Sequence, residues 1–298
     1  MRDHKTIFIV TMNKLPDAKK AAVLKALCEG VSIRGTARLT GVNKDTVLKV
    51  LVEAGELCSI YQYHKLCKLK SKRIEVDEIW AFMGAKRSNA RTPGYGDIWT
   101  FTAIDPDSKL MVSWLVGDQT GENAETLLRD VAGRVTGRIQ LTTDGHPMYP
   151  LAVENAFGYN SVDYSQVVKV FSKGSQGIES RYSPGRFVTQ TKETILGRPN
   201  MGQASTSYVE RSNLSLRMQQ RRFTRLTNGF SKKAENHAHA VSLYFMFYNF
   251  CRVHATLTKV ARGVHTTPAM AAGVTNRVWK LEDVVELMDP KRRIGAAA

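Results

Sequence analysis

Residues 73–83 read RIEVDEIWAFM, and the reading of the fold starts there. β-Branched and aromatic residues crowd the stretch, which marks a strand. Acids are depleted in strands, so Asp77 inside this one needs a reason. Two similar runs follow, 97–104 (DIWTFTAI) and 109–116 (KLMVSWLV), joined by Asp105-Pro106-Asp107-Ser108, strong hairpin-turn chemistry. Residues 122–135 read as a helix, and 138–143 (RIQLTT) as a fourth strand that stops at Asp144-Gly145. A helix over 146–156 and a short fifth strand over 167–171 come next. Three strands, helix, strand, helix, strand is the order of an α/β domain, a mixed five-stranded sheet with helices packed on it.

Upstream, residues 18–29 read as a helix, Ser32 caps a second running to Thr40, Gly41 makes a turn and 44–54 form a third. This is a helix-turn-helix pattern. Ala37 sits where two helices cross closely, and Val47 packs the third helix back onto the second. In a DNA-binding module the third helix would read bases, exposing Asn43, Lys44, Asp45, Thr46 and Lys49. Three-helix packing with no DNA contact fits the same spacing.

Downstream, residues 172–204 are rich in Gly, Ser, Pro and Thr and read as a long loop or insertion. Long helices follow over 205–227 and 232–254. Thr267-Pro268 starts a short one, and the amphipathic helix 278–288 is stopped by Asp289-Pro290. The expected division is a helix-turn-helix domain over 1–60, a basic linker over 61–72, a catalytic domain over 73–275 with an insertion at about 172–204, and a C-terminal helix and tail over 276–298.

Charge bears on the partner. The chain of 298 residues has 43 Lys and Arg against 27 Asp and Glu, a net +16. Such an excess favours an anionic polymer, with nucleic acid the first candidate. Residues 1–75 hold 15 basic and 7 acidic residues, and Lys65, Lys68, Lys70, Lys72 and Arg73 lead out of the helical module. That run serves either as a phosphate-tracking linker or as a solvated connector. The apolar run 243–250 includes Tyr244, Tyr248 and Asn249 and is far short of the roughly 20 residues a bilayer requires. Ile7 to Val10 is too small for a signal-peptide core. Four cysteines form no paired framework, which fits a reducing cytosol. Cys58, His64 and Cys67 lack the CxxC pair and fourth ligand of a zinc site. His237 and His239, two apart on a helix, do not share a face.

Three acids carry the chemistry. Asp77 lies within the first strand, Asp144 ends the fourth, and Glu210 stands early in a long helix, with spacings of 67 and 66 residues. Each alone reads equally as an edge-strand acid, a turn-former before Gly145 and a solvated helix acid. Glu78 neighbours Asp77 but points to the opposite sheet face. Gathered at one point, three carboxylates repel and resist ionising. Divalent cations remove the conflict: two Mg²⁺ ions about 3.5–4 Å apart can activate an attacking oxygen and stabilise a leaving one. Mg²⁺ takes oxygen ligands, and Mn²⁺ is the expected substitute. Asn213 and Arg217 share Glu210's face, and Arg221 and Arg222 follow where a phosphate at the metals would lie next.

These residues resemble the DDE transposases of the insertion-sequence-one family, which have a ribonuclease-H-like (RNase H-like) fold. The matching pieces are Val76-Asp77-Glu78-Ile79-Trp80 with Gly84-Ala85-Lys86, Thr142-Thr143-Asp144-Gly145-His146, and Tyr208-Val209-Glu210-Arg211-Ser212-Asn213-Leu214 with Arg217. Phe230-Ser231-Lys232-Lys233, the stretch Tyr248 to His254, and Thr267 to Gly273 are similar to the family's later segments. The resemblance covers roughly residues 18 to 275. It implies a DNA transposase that binds terminal inverted repeats, cleaves at the element's 3′ ends and joins them to target DNA. It further implies Asp77, Asp144 and Glu210 as metal-holding catalytic acids, and a dimer or higher multimer on double-stranded DNA. The setting would be the prokaryotic cytoplasm at the nucleoid, with no membrane. Two features depart from the family: no N-terminal cysteine finger is present, and residues 155–204 lengthen the gap between the second acid and Glu210. A transposase-derived DNA-binding regulator with idle acids is the alternative expectation, and a junction-resolvase-like nuclease a third.

Overall fold

The computed structural model describes residues 14–172, 187–224 and 229–289. Its centre is a mixed sheet of β1 (Arg73–Met83), β2 (Gly96–Ile104), β3 (Met111–Gly117), β4 (Ile139–Asp144), β5 (Val162–Phe171) and β6 (Phe187–Leu196), in the order β3-β2-β1-β4-β5-β6. β1, β2 and β3 run antiparallel, β4 is parallel to β1 and β5 parallel to β4, and β6 returns antiparallel on β5. The turn between β2 and β3 is held by Asp105, whose Oδ1 accepts the Asp107 N–H at 2.8 Å. The parallel steps are bridged by α4 (Gly121–Arg134) and α5 (Tyr149–Phe157).

Side chains alternate along β1, so each sheet face has its own core. Ile74 and Val76 join Phe101, Ala103, Leu127, Val131, Tyr149 and Val153 on the α4/α5 side. Ile79, Ala81 and Met83 join Val209, Leu216, Val241 and Phe245 on the side of α6 (Ser207–Gln219) and α7 (Ala234–Met246). A π-helical turn, Phe247–Cys251, continues α7, and α8 (Ala255–Val260), α9 (Pro268–Ala271) and α10 (Leu281–Leu287) complete the described chain.

The N-terminal helices are α1 (Asp17–Cys28), α2 (Ile33–Thr40) and α3 (Lys44–Lys65). Ser32 Oγ caps α2 by accepting the Gly35 N–H at 3.1 Å, and Asn43 Oδ1 caps α3 by accepting the Asp45 N–H at 2.8 Å. Gly41 ends α2 at φ +67°, a left-handed backbone that glycine adopts without steric cost.

Several elements differ from the sequence expectation: β5 starts at Val162 instead of 167, and the helix expected over 232–254 is α7 to Met246 followed by the π-helical turn to Cys251. The third helix continues past Ala54 to Lys65, because its second half lies on α7: Gln62 Nε2 donates to the Ser242 carbonyl at 3.2 Å. The 61–72 stretch is therefore partly helical. Leu66 and Leu69 within it are buried, and the Leu69 N–H donates to the Arg134 carbonyl at 2.8 Å. The sheet has six strands, since β6 occupies part of the stretch read as a loop over 172–204. All of β6 except Leu196 is exposed, so it carries no alternating hydrophobic signal. The helix bearing Glu210 ends at Gln219, short of the expected Thr227, and residues 225–228 lie outside the described residues. So do residues 1–13, most of the loop after β5 (173–186) and the tail from 290. Among the described residues no helix is long and apolar enough to cross a membrane.

Candidate metal centre

β1 and β4 pair in parallel only as far as Val76 against Thr143. Asp144 is the last residue of β4, so beyond it β1 continues without β4 beside it until Met83 bridges Ser231. Asp77 and Glu78 stand in that opening. One carboxylate oxygen from each of Asp77, Glu78 and Asp144 lies within 4.8 Å of the others, and all three residues are half-buried. Gly145 follows, and a Cβ there would press on the Val168 side chain at 2.7 Å. The His146 N–H donates to Asp144 Oδ1 at 3.1 Å and holds the carboxylate at the rim.

Each acid is oriented by neighbours. Asn213 Nδ2 donates to Asp77 Oδ2 at 2.9 Å, and the Thr102 hydroxyl donates to Asn213 Oδ1 at 3.1 Å, which fixes the amide's direction. Tyr149 donates its hydroxyl to Glu78 Oε2 at 2.6 Å, and Gln119 Nε2 donates to Glu78 Oε1 at 2.7 Å. Two residues before Asp77, the buried Glu75 turns one oxygen to the start of α6, accepting the Tyr208 N–H at 2.8 Å and the Val209 N–H at 3.0 Å.

The electrostatics follow from crowding. Burial pushes Asp77 up to about 7, the charges of Glu78 and Asp144 push the same way, and the Asn213 amide opposes them. Glu78 is raised first by burial, against the hydrogen bond from Tyr149, with Asp144 adding to the rise. Burial also lifts Glu75 to about 7, partly offset by its two backbone donors. A cluster that resists ionising alone is relieved by a divalent cation, and three carboxylates with no nitrogen or sulfur donor suit a hard ion such as Mg²⁺. These residues fit a metal.

Of the three acids singled out in the sequence, Asp77 and Asp144 come together and Glu210 stands apart. Glu210 Oε1 is ion-paired to Lys169 of β5 and accepts the Thr206 hydroxyl at 2.6 Å. Glu78 takes a place in the cluster. The alternation rule puts its Cβ on the face opposite Asp77, and its hydrogen bond to Tyr149 agrees with that. With β4 ended, however, its longer side chain reaches the shared rim, so the face rule alone wrongly excludes it. Its position one residue after an acid, on a strand that outruns its neighbour, is the signal that points to it.

The basic residues divide. Arg221 is exposed, whereas Arg222 gives a guanidinium nitrogen to Ser231 Oγ at 2.7 Å, and burial pushes it down to about 10. Arg217 is half-buried on α6, beyond Asn213. On α3, Lys49 is exposed and Thr46 half-buried, and Lys44 lies 3.7 Å from Asp45. Lys44, Arg34, Arg221, Arg222 and Lys232 line a groove of about 620 Å³ between the N-terminal helices and the α6–α7 connection. None of the three clustered acids lines it. Among the described residues Asp77, Glu78 and Asp144 are the only metal-competent cluster, and Cys58, His64 and Cys67 form none. His237 is buried with Nδ1 3.0 Å from Ser231 Oγ, a packing role.

No protein-family model and no curated protein matches the chain.

Proposed function

We propose that this chain is a DNA transposase with an RNase H-like catalytic domain. It would bind the terminal inverted repeats of its element through α2 and α3 acting as a helix-turn-helix, cleave at the 3′ ends and join them to target DNA. One observation carries the reading: Asp77 and Asp144, 67 residues apart in the chain, present carboxylates within 4.8 Å where β4 ends beside the middle of the parallel strand β1. The sheet order β3-β2-β1-β4-β5, the net +16 and the resemblance of the residues around Asp77, Asp144 and Glu210 support it.

Asp77, Asp144 and Glu78 are the residues that would hold a cation, with Glu210 the candidate fourth acid. When bound, Mg²⁺ supplies activation of a water or 3′-hydroxyl and stabilises the leaving oxygen. The chain's own contribution is to aim the ligands: Asn213 orients Asp77, and Tyr149 and Gln119 orient Glu78. Beyond the end of α6, Arg221, Lys232 and Lys233 are exposed to a phosphate backbone, whereas Arg222 is turned inward to Ser231. As a transposase it would act as a dimer or larger multimer on two DNA ends, in the prokaryotic cytoplasm.

The ion pair of Glu210 with Lys169 favours a second reading, a transposase-derived regulator that binds DNA without cutting it. Purified protein incubated with Mg²⁺ and labelled DNA carrying the gene's flanking inverted repeats separates the two. Strand nicking and joining, lost in Asp77→Asn, Asp144→Asn and Glu210→Gln while DNA binding persists, is expected of the transposase. Binding without cleavage by the wild type means the regulator.

A further inference from the structure

β5 and β6 run past the end of β4, as β1 does on its other side. Asp144, the end of β4, is level with Val167 of β5. Past that point four residues of β5, Val168 to Phe171, continue paired with β6. At roughly 3.3 Å per residue the ribbon overhangs the acids by about 13 Å. Along β6 both faces are exposed, so the described chain covers neither.

The register says which side chains share the acids' face. Glu75 is level with Thr142, Asp144 with Val167, Val167 with Lys192, and Lys169 with Gln190. Residues level across a sheet point the same way, and the alternation has period two. Asp77, Asp144, Lys169, Lys192 and Gln190 therefore lie on one face, running outward from the carboxylates to the sheet edge. Val168, Val170, Thr189 and Thr191 lie on the other. Acids suited to metal ions thus give way, on the same surface, to two lysines and an amide.

Lys169 is paired to Glu210, and Lys192 donates to the Met201 carbonyl at 3.0 Å on the exposed surface. A phosphodiester reaching Lys169 competes with Glu210 for the same ammonium. Occupation of the ribbon by a polyanion would thus loosen Glu210's only described ion pair, on the side facing the acids.

We propose that this face of the β5–β6 ribbon is a nucleic-acid contact surface, over which a strand held at the acids continues past Lys169 and Lys192. The proposal rests on the DNA-binding reading above and adds the path. Charge complementarity and continuity with the carboxylate rim favour nucleic acid as occupant. A second copy adding a strand at the β6 edge would have to accommodate Lys192 and Glu193 there, charges of the kind that blunt edge pairing.

The test uses the full chain with a photo-crosslinking amino acid at Gln190, on the lysine face, or at Thr191, on the other. Both positions are exposed, so neither change threatens folding. The probe is labelled duplex DNA of arbitrary sequence with a 3′ overhang, because binding to phosphates does not depend on sequence. Gel retardation reads binding and irradiation reads the path. Expected is retardation by both proteins, with DNA cross-links from position 190 and background from 191. Lys192→Ala should also flatten the salt dependence of binding. Leaving one phosphate without its cation lowers the log–log slope by about 0.9 in duplex DNA and about 0.7 in single strand. Retarded DNA that cross-links from neither position, or equally from both, overturns the path and leaves DNA binding standing. Chain-to-chain cross-links in place of DNA cross-links mean that a second copy occupies the ribbon and overturn it too. No retardation by the wild type removes the DNA-binding reading and this proposal together.

Discussion

Asn213 of α6 donates its amide to Asp77 of β1 across 2.9 Å, joining residues 136 apart in the chain. The contact ties the helix bearing Glu210 to the strand that opens the acidic cluster. It is also the hydrogen bond that most favours the ionised form of Asp77.

Asn213→Leu should therefore raise the Asp77 midpoint further above its present value of about 7, because burial and two like charges are left less opposed. Carboxyl-detected NMR titration reads it. A midpoint that stays put or falls would show that the amide does not support the charged form.

Protons and metal compete at the cluster. Asp77 takes its proton near 7 in the fold, against an ordinary value of 3.8. Its contribution to stability is fully present below 3.8 and is lost as pH rises through about 7. In metal-free protein, melting temperature should fall for the wild type relative to Asp77→Asn between about pH 5 and pH 8. Added Mg²⁺ should recover more at the upper end, since ligands must be deprotonated to bind. Calorimetry with and without Mg²⁺ checks both; equal Mg²⁺ stabilisation at the two pH values would argue against a metal at Asp77.

Glu78→Gln keeps the length of the side chain and can still engage Tyr149 and Gln119, but it removes a charge. If Glu78 is a ligand or orders one, Mn²⁺ affinity measured by titration calorimetry should fall roughly 10–100-fold. Unchanged affinity would return Glu78 to a purely structural place on the α5 side.

Glu75 does for α6 what its N-cap residue does not. Thr206 makes no side-chain cap, and Glu75 Oε2 accepts the Tyr208 and Val209 N–H groups from the neighbouring strand. Glu75→Leu should cost about 1–2 kcal/mol in urea unfolding, the range of a missing helix cap, while Glu75→Gln keeps an acceptor and stays closer to wild type. Equal losses in the two variants would point to charge instead of capping.

His237 brings the opposite pH sign. Burial, then Arg222, push it down to about 3, so it is neutral in the fold while the unfolded chain takes its proton near 6.5. Its share of stability is lost as pH falls from about 6.5 toward 3. His237→Phe should flatten the acid side of the stability profile; an unaltered profile would move the acid sensitivity elsewhere.

Much of the fold is legible in the sequence. β1 begins and ends where its β-branched and aromatic run does, because propensity and burial agree there. The break after Asp144 is marked by Gly145, and the α2–α3 turn by Gly41, whose left-handed backbone is a local demand. β6 is not legible, since a strand exposed on both faces has no hydrophobic alternation to betray it. Nor is the length of α3, whose second half is held by α7 across the molecule.

By itself, the sequence determined a basic chain, the strand and helix types of its main elements, and which acids stand at strand positions, because these depend on neighbours close in the chain and on composition. Tertiary structure alone decided which acids meet. β4 pairs with β1 no further than Val76, so Glu78 reaches the rim from the other face, and Lys169 on the overhanging β5 draws Glu210 aside. Both outcomes turn on where strands end relative to one another, which local spacing does not encode, and on electrostatic competition between groups that only the folded chain brings within reach.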